Sequence, residues 1–323
     1  MKNPDFAILS QNLRNGYTEE IHSGIFLKYQ NGKVVNSFGK DNDYPFFQRS
    51  CMKPMQFAAI YDVVKAFDFT PQEIAVCSAS HSGENFHIET ILGILKKIGL
   101  DETYLLCPPQ EPLNSEAKNE LIKNNIKPRA IHNNCSGKHT AMLAYCVLKG
   151  LDVKNYNDIS HPLQQHILNF VANICGKKLS ECEISRDGCT LPVIATPLKN
   201  LAQGFLTVFT DEKYIELKNA VLKYPYYFGG HGRTDSEITA SSKNLIAKVG
   251  AGNLCCIADL DEKSCYVIKL SDGDNFARGV ILTQFLKKTK NADTKILEKL
   301  FPTTITDETG VQVGNIEVLC SLL

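Results

Sequence analysis

The sequence predicts an α+β (α/β mixed) fold: an antiparallel sheet built from N- and C-terminal strands with flanking helices, plus a mostly helical subdomain. Three observations predict it. Two β-type runs flank Asn31-Gly32 near the start, two more run over 253–259 and 264–270 near the end, and the long middle repeats apolar residues at helical spacing. Residues 1–75 and 245–323 are therefore expected to form the sheet subdomain and 76–244 the helical one. Together they would make a single catalytic unit with its site in the cleft.

Each element follows from local chemistry. Asn31-Gly32 lies between Gly24–Tyr29 and Val34–Phe38, and Asn-Gly between β-type runs is a strong hairpin signal. Met52, Met55, Ala59, Ile60, Val63, Val64 and Phe67 then follow helical spacing. Pro54 lacks an N–H, which places it in the first turn and starts that helix at about 50–53. Residues 73–79 read as a strand or extended run, and the Ser80–Gly83 loop leads to a helix through Ile88, Ile91, Leu92, Leu95 and Ile98. Helical patterns continue over about 115–124, 138–149, 161–174, 197–206, 212–223 and 236–248. The 253–259 and 264–270 runs, joined by Leu260-Asp-Glu-Lys263, make a second hairpin, followed by a helix at about 276–288.

Composition narrows the function. The 323 residues carry 35 Lys plus Arg against 35 Asp plus Glu, and zero net charge argues against nucleic-acid or membrane-surface partners. No stretch reaches the roughly 18 apolar residues of a membrane span, and MKNPDFAILSQ lacks the apolar centre of a signal peptide, so a cytoplasmic location is expected. The 12 cysteines are too few for a disulfide scaffold, and in a reducing compartment most serve as small buried hydrophobes.

Five segments concentrate reactive groups. In Arg49-Ser50-Cys51-Met52-Lys53-Pro54, residues three apart at a helix start can meet, so Lys53 could take the Ser50 proton if burial beside another cation keeps it neutral. The plainer alternative is a serine cap with a solvated lysine. Cys77–Glu84 offers hydroxyls, His81 and backbone N–H groups that could hold an oxyanion or carboxylate, or could simply cap the next helix. His132–His139 and Arg186–Pro192 place Cys135 and Cys189 in turn-rich segments. Brought together by the fold they could bind zinc with Lys, His or Asp, or merely pack. Alternation in Cys265–Leu270 puts Cys265, Val267 and Lys269 on one face, so Lys269 would look into the cleft or guard a sheet edge.

Read in order, RSCMKP (49–54), ASHSGE (79–84), HNNCSGKH (132–139), DGC (187–189), GRTD (232–235), KVGA (248–251) and IKLSDGD (268–274) resemble the Rhizobium etli-type, class 3 or asparaginase II family of bacterial L-asparaginases. That family is related in fold to serine β-lactamases and Ser/Lys glutaminases. The resemblance implies hydrolysis of L-asparagine to aspartate and ammonia through an acyl-enzyme, in a homodimer. It implies Ser50, Lys53, Ser80 and Lys269 as catalytic residues and Cys135, Lys138 and Cys189 as ligands of a pocket-orienting zinc ion. Arg49, His81 and Asn134 are candidates for holding the substrate's charged groups. Thr190 departs from the family pattern, which commonly has glycine after the DGC cysteine. A glutaminase or other Ser/Lys amidohydrolase, and a non-catalytic zinc-binding protein on the same scaffold, are the competing readings.

Overall fold

Eleven strands are described in the computed structural model, which covers residues 3–289 and 292–320. In chain order they are β1 (Ala7–Arg14), β2 (Tyr17–Gln30), β3 (Lys33–Phe38), β4 (Phe46–Phe47), β5 (Glu183–Arg186), β6 (Pro192–Thr196), β7 (Leu245–Gly250), β8 (Leu254–Asp259), β9 (Ser264–Leu270), β10 (Thr304–Thr306) and β11 (Gln312–Val318). The main sheet runs β10-β11-β1-β2-β9-β8-β7, with β3 also paired to β2, and all its neighbours are antiparallel. It is thus made from both ends of the chain, in an α+β arrangement. A smaller sheet, β4-β6-β5, sits apart.

Turn chemistry sets the registers. Asn31 (φ 51°) and Gly32 (φ 79°) both occupy the left-handed region that a two-residue hairpin turn demands, and Gln30 pairs with Lys33 across it. Asn15-Gly16 does the same between β1 and β2. The β9 alternation is as expected: Cys265 and Val267 join one apolar cluster, while Tyr266, Ile268 and Leu270 join the other. The first face packs on helices from the middle of the chain, including Leu198–Thr210. The second is covered by the helix Asn275–Thr289, where Phe26 meets Phe285 edge-on at 5.1 Å.

Three expectations are corrected. Residues 71–77 are a helix rather than a strand: Pro71 occupies its first turn, Thr70 Oγ1 accepts from the Glu73 N–H at 3.3 Å, and Glu73 Oε2 accepts from the Thr70 N–H at 2.7 Å. This reciprocal cap outweighs the β-like composition of Ile74, Val76 and Cys77. The pattern at 236–248 is not one helix: Thr234–Ala240 is helical, and after Ser241–Asn244 the chain becomes β7. The helix of 52–67 divides into Lys53–Ala59 and Val63–Ala66.

The helix Ser136–Lys149 is buried along most of its first two turns. A Cβ on Gly137 would overlap the Val76 carbonyl oxygen, so only glycine lets this helix approach Pro71–Cys77 so closely. Among the described residues no helix is long and apolar enough to cross a membrane.

Candidate active site

The segment before Ser50 is anchored first. Gln48 is buried, its N–H donates to Ile194 O at 3.0 Å, and its Nε2 donates to Thr196 Oγ1 at 2.9 Å, which ties it to β6. Arg49 adopts φ 47°, a left-handed conformation costing about 1–2 kcal/mol outside glycine. Its guanidinium holds Asp187 Oδ1 through Nε at 3.0 Å and NH2 at 2.8 Å. Residues Arg49–Met52 then form a 3₁₀ turn leading into Lys53–Ala59. Ser50 lies in this turn, and Lys53, three residues on, begins the helix that follows it. Cys51 Sγ donates to Lys248 O at 3.1 Å, fastening the turn to β7.

Lys53 is almost wholly buried, with Nζ 3.1 Å from Asn134 O. Burial lowers its pKa; the Cys135 and Cys189 thiols oppose the shift and Lys138 and Lys248 reinforce it, leaving a value of about 8. About a tenth of the amine is therefore neutral at pH 7.

A second wall comes from Asn133–Lys138 and Asp187–Thr190. Asn133 Nδ2 donates to Pro108 O and its Oδ1 accepts from the Cys135 N–H, both at 2.9 Å. Cys135 Sγ lies 3.1 Å from Asn134 Oδ1, and Lys138 Nζ donates to Cys189 Sγ at 3.3 Å. A hydrogen bond from Cys135, together with Lys138 and His139, holds Cys189 as a thiolate well below its ordinary range, whereas that bond and burial push Cys135 well above it. Burial opposes the Lys138 charge, but the two cysteines and Asp187 outweigh it and keep the ammonium protonated. His139 Nδ1 lies 2.7 Å from Tyr156 Oη, and the imidazole also hydrogen-bonds to Cys189. Thr190 stands at φ 80°, which explains why glycine suits that position; here Thr190 Oγ1 donates to Leu106 O and accepts from Asn157 Nδ2, both at 3.1 Å.

Behind this wall, Ser80 is buried in the bend that follows Pro71–Cys77. The His81 N–H donates to Asn134 O at 3.2 Å, its Nδ1 accepts from the Gly83 N–H at 3.2 Å, and its Nε2 is 2.9 Å from Ser136 Oγ. Both ring nitrogens are thus occupied, and burial, with His87 and Lys53 adding to it, pushes the imidazole well below its usual range. Lys269, half-buried on β9, donates to Leu270 O at 2.5 Å and lies 5.9 Å from the centre of the Phe46 ring; burial, opposed by Asp272, lowers its pKa.

Arg49, Ser50, Asn134, Cys135 and Cys189 line a common cavity of about 290 Å³, with Pro108–Gln110, Asp187 and Ala251 completing it. Lys53 and Lys138 reach its floor through Asn134 O and Cys189 Sγ. Ser80 and His81 adjoin through Asn134 rather than line it. Larger depressions of about 1050 and 1070 Å³ surround Tyr226 and His166 respectively, and neither contains Ser50 or Lys53.

Sequence reasoning missed Asp187, which pairs with Arg49, and the fully buried Lys248–Asp235 pair at 2.6 Å. The DGC, GRTD and KVGA segments contain all three residues, but only the fold shows which side chains meet.

The family model described as L-asparaginase II matches residues 11–318. No curated protein matches the chain.

Proposed function

This chain belongs to the L-asparaginase II family, amidohydrolases that hydrolyse L-asparagine, and from that premise we propose that Ser50 is the nucleophile and Lys53 its general base. The observation that carries the proposal is a serine at the cavity wall, one 3₁₀ turn before a buried lysine whose pKa has dropped to about 8. Neutral Lys53 Nζ takes the Ser50 hydroxyl proton as Oγ attacks the side-chain amide carbon. The C–N bond then breaks, the nitrogen gains a proton and leaves as ammonia, and an ester remains on Ser50. Water cleaves that ester to release aspartate and return the proton to Ser50.

Ser80 and Lys269 remain the proposed relay for the leaving nitrogen. Lys248 competes with Lys269 for the second place, because it is Lys248 whose charge acts on Lys53 and whose carbonyl holds Cys51. Loss of turnover in Lys248→Met with its unfolding stability retained, but not in Lys269→Met, would decide for Lys248. Arg49, Asp187 and Asn134 supply charge and hydrogen bonds for the α-carboxylate and α-ammonium of a small zwitterion; His81, with its nitrogens engaged, positions the loop instead.

The donors fit zinc: two adjacent thiols, one already a thiolate, an amine 3.3 Å away and the His139 imidazole beside them. Among the described residues no three His, Cys, Asp or Glu groups form a metal cage, so Lys138 would complete the Cys135–Cys189 set. A bound ion would supply a fixed positive charge beside the cavity. We place the protein in the Rhizobium etli-type class, as a cytoplasmic homodimer, and sedimentation at micromolar concentration tests the dimer.

Ser50→Ala tests the core of the reading. It should fold normally, release no ammonia from asparagine above background and form no acyl adduct by mass spectrometry; near-normal turnover would reject Ser50. Parallel assays with glutamine test the alternative substrate, since one methylene is worth about 1–3 kcal/mol in such a pocket.

A further inference from the structure

Two segments next to Ser80 are joined through one carboxylate. Glu84 is mostly buried just before the helix Asn85–Lys97. Its Oε1 accepts from Ser82 Oγ at 2.5 Å and from the His231 N–H at 3.0 Å, and its Oε2 lies 2.6 Å from His231 Nδ1. Gly230, at φ 143°, packs so tightly that a Cβ would overlap Ser82 Oγ. On its other side this segment is pinned by Gly230 N–H to Ser236 Oγ at 2.9 Å and by Gly232 N–H to Glu237 Oε1 at 2.8 Å, next to the Asp235 that pairs with Lys248. In the opposite direction, Ser82 follows His81, whose N–H shares Asn134 O with Lys53. The carboxylate therefore stands where the Ser80 loop and the strand of Lys248 are held in common.

We propose that Glu84 and His231 form a clasp that fixes the Ser80–Gly83 loop against the 229–235 segment, making both of them positioning residues for amide hydrolysis. This rests on Ser80 taking part in the reaction as read above. Without the clasp, Ser82 and the His231 backbone lose their shared acceptor, and an error of about 1 Å at a reacting group can cost on the order of a hundredfold in rate. Burial opposes the Glu84 charge, but the donors on Ser82 and His231 hold the carboxyl below its usual range. The groups facing His231 are Glu84, the Tyr226 ring stacked at 4.2 Å, the Phe86 edge at 5.9 Å, and Glu116 and Glu120 across a shared cavity; His87 and Arg233 lie close behind.

The test is asparagine hydrolysis by the full chain, for wild type, Glu84→Gln, His231→Phe, His231→Asn and Ser80→Ala. Glu84→Gln and His231→Phe should lose about tenfold or more in kcat with KM changed less than about twofold. His231→Asn, which keeps a neutral donor, should recover most of kcat. Unchanged kcat in both Glu84→Gln and His231→Phe would overturn the clasp. Near-normal turnover in Ser80→Ala would instead reject the relay. Hydrogen exchange at amides 80–83 would then read the clasp directly, with faster exchange in exposed-site His231→Phe supporting it and unchanged exchange overturning it.

Discussion

Lys53 and His81 meet at one oxygen atom: the Asn134 carbonyl accepts from Lys53 Nζ at 3.1 Å and from the His81 backbone N–H at 3.2 Å. The amine is thereby aimed by the same group that holds the Ser80 loop. A neutral lysine can keep this donation and still offer its lone pair to the Ser50 hydroxyl, whereas a protonated one has no lone pair to offer.

The pH dependence follows. With Lys53 near 8, kcat/KM for asparagine should rise through about pH 8, because deprotonation creates the base. Lys53→Met should abolish the rise together with the activity. A wild-type profile flat between pH 6.5 and 9 would remove Lys53 from the role.

The buried Lys248–Asp235 pair should matter for stability. Asp235→Ala leaves a buried ammonium without its partner and should cost about 3–5 kcal/mol in denaturant unfolding, whereas joint replacement by Met and Leu should recover part of that. Burial opposes the Asp235 charge, but Lys248 and Arg233 hold its carboxyl at about 2. A carboxyl lowered on folding stabilises above its unfolded value of about 3.9, and that contribution is lost as pH falls through about 2. Acid titration of the unfolding midpoint should show the loss in wild type and not in the double variant.

Thr190 offers a separation of backbone from side chain. Thr190→Val keeps the left-handed strain and loses both hydroxyl hydrogen bonds, so it should destabilise by about 2 kcal/mol. Thr190→Gly loses the same bonds but sheds about 1–2 kcal/mol of strain, and should stay within about 1 kcal/mol of wild type. Equal losses in the two variants would show that the strain contributes nothing.

Zinc binding can be read without turnover. Metal analysis of protein purified without chelator should find about one zinc per chain, falling sharply in Cys135→Ser and Cys189→Ser. Uptake should release protons, because Lys138 and the shared thiol must give theirs up. Metal-free protein that takes up no added zinc would end the proposal.

The sheet was legible where turn chemistry and alternation agreed. Asn31-Gly32 and the faces of Cys265–Leu270 follow from two local rules, and both hold. β1 escaped notice because its alternation is weak in a polar run, AILSQNLR, even though Asn15-Gly16 carries the same turn signal. Residues 73–79 misled because composition favours a strand, while a threonine cap and Pro71 decide for a helix. The site was readable as segments, and Ser50, Asn134, Cys135 and Cys189 do converge on one cavity. The contacts of Arg49 with Asp187, of Lys248 with Asp235 and of Glu84 with His231 join residues remote in the chain, and no spacing rule encodes them.

The bond from Cys51 to the Lys248 carbonyl also has a bearing on how the enzyme is made. A nascent chain exposes Ser50 early, but the strand that braces it, and β9 that pairs with β2, leave the ribosome only in the last quarter of the 323 residues. Loop closure over so long a span is slow. Catalytic competence must therefore arrive late in synthesis and all at once, so that a truncated product released before β9 carries Ser50 but cannot consume asparagine.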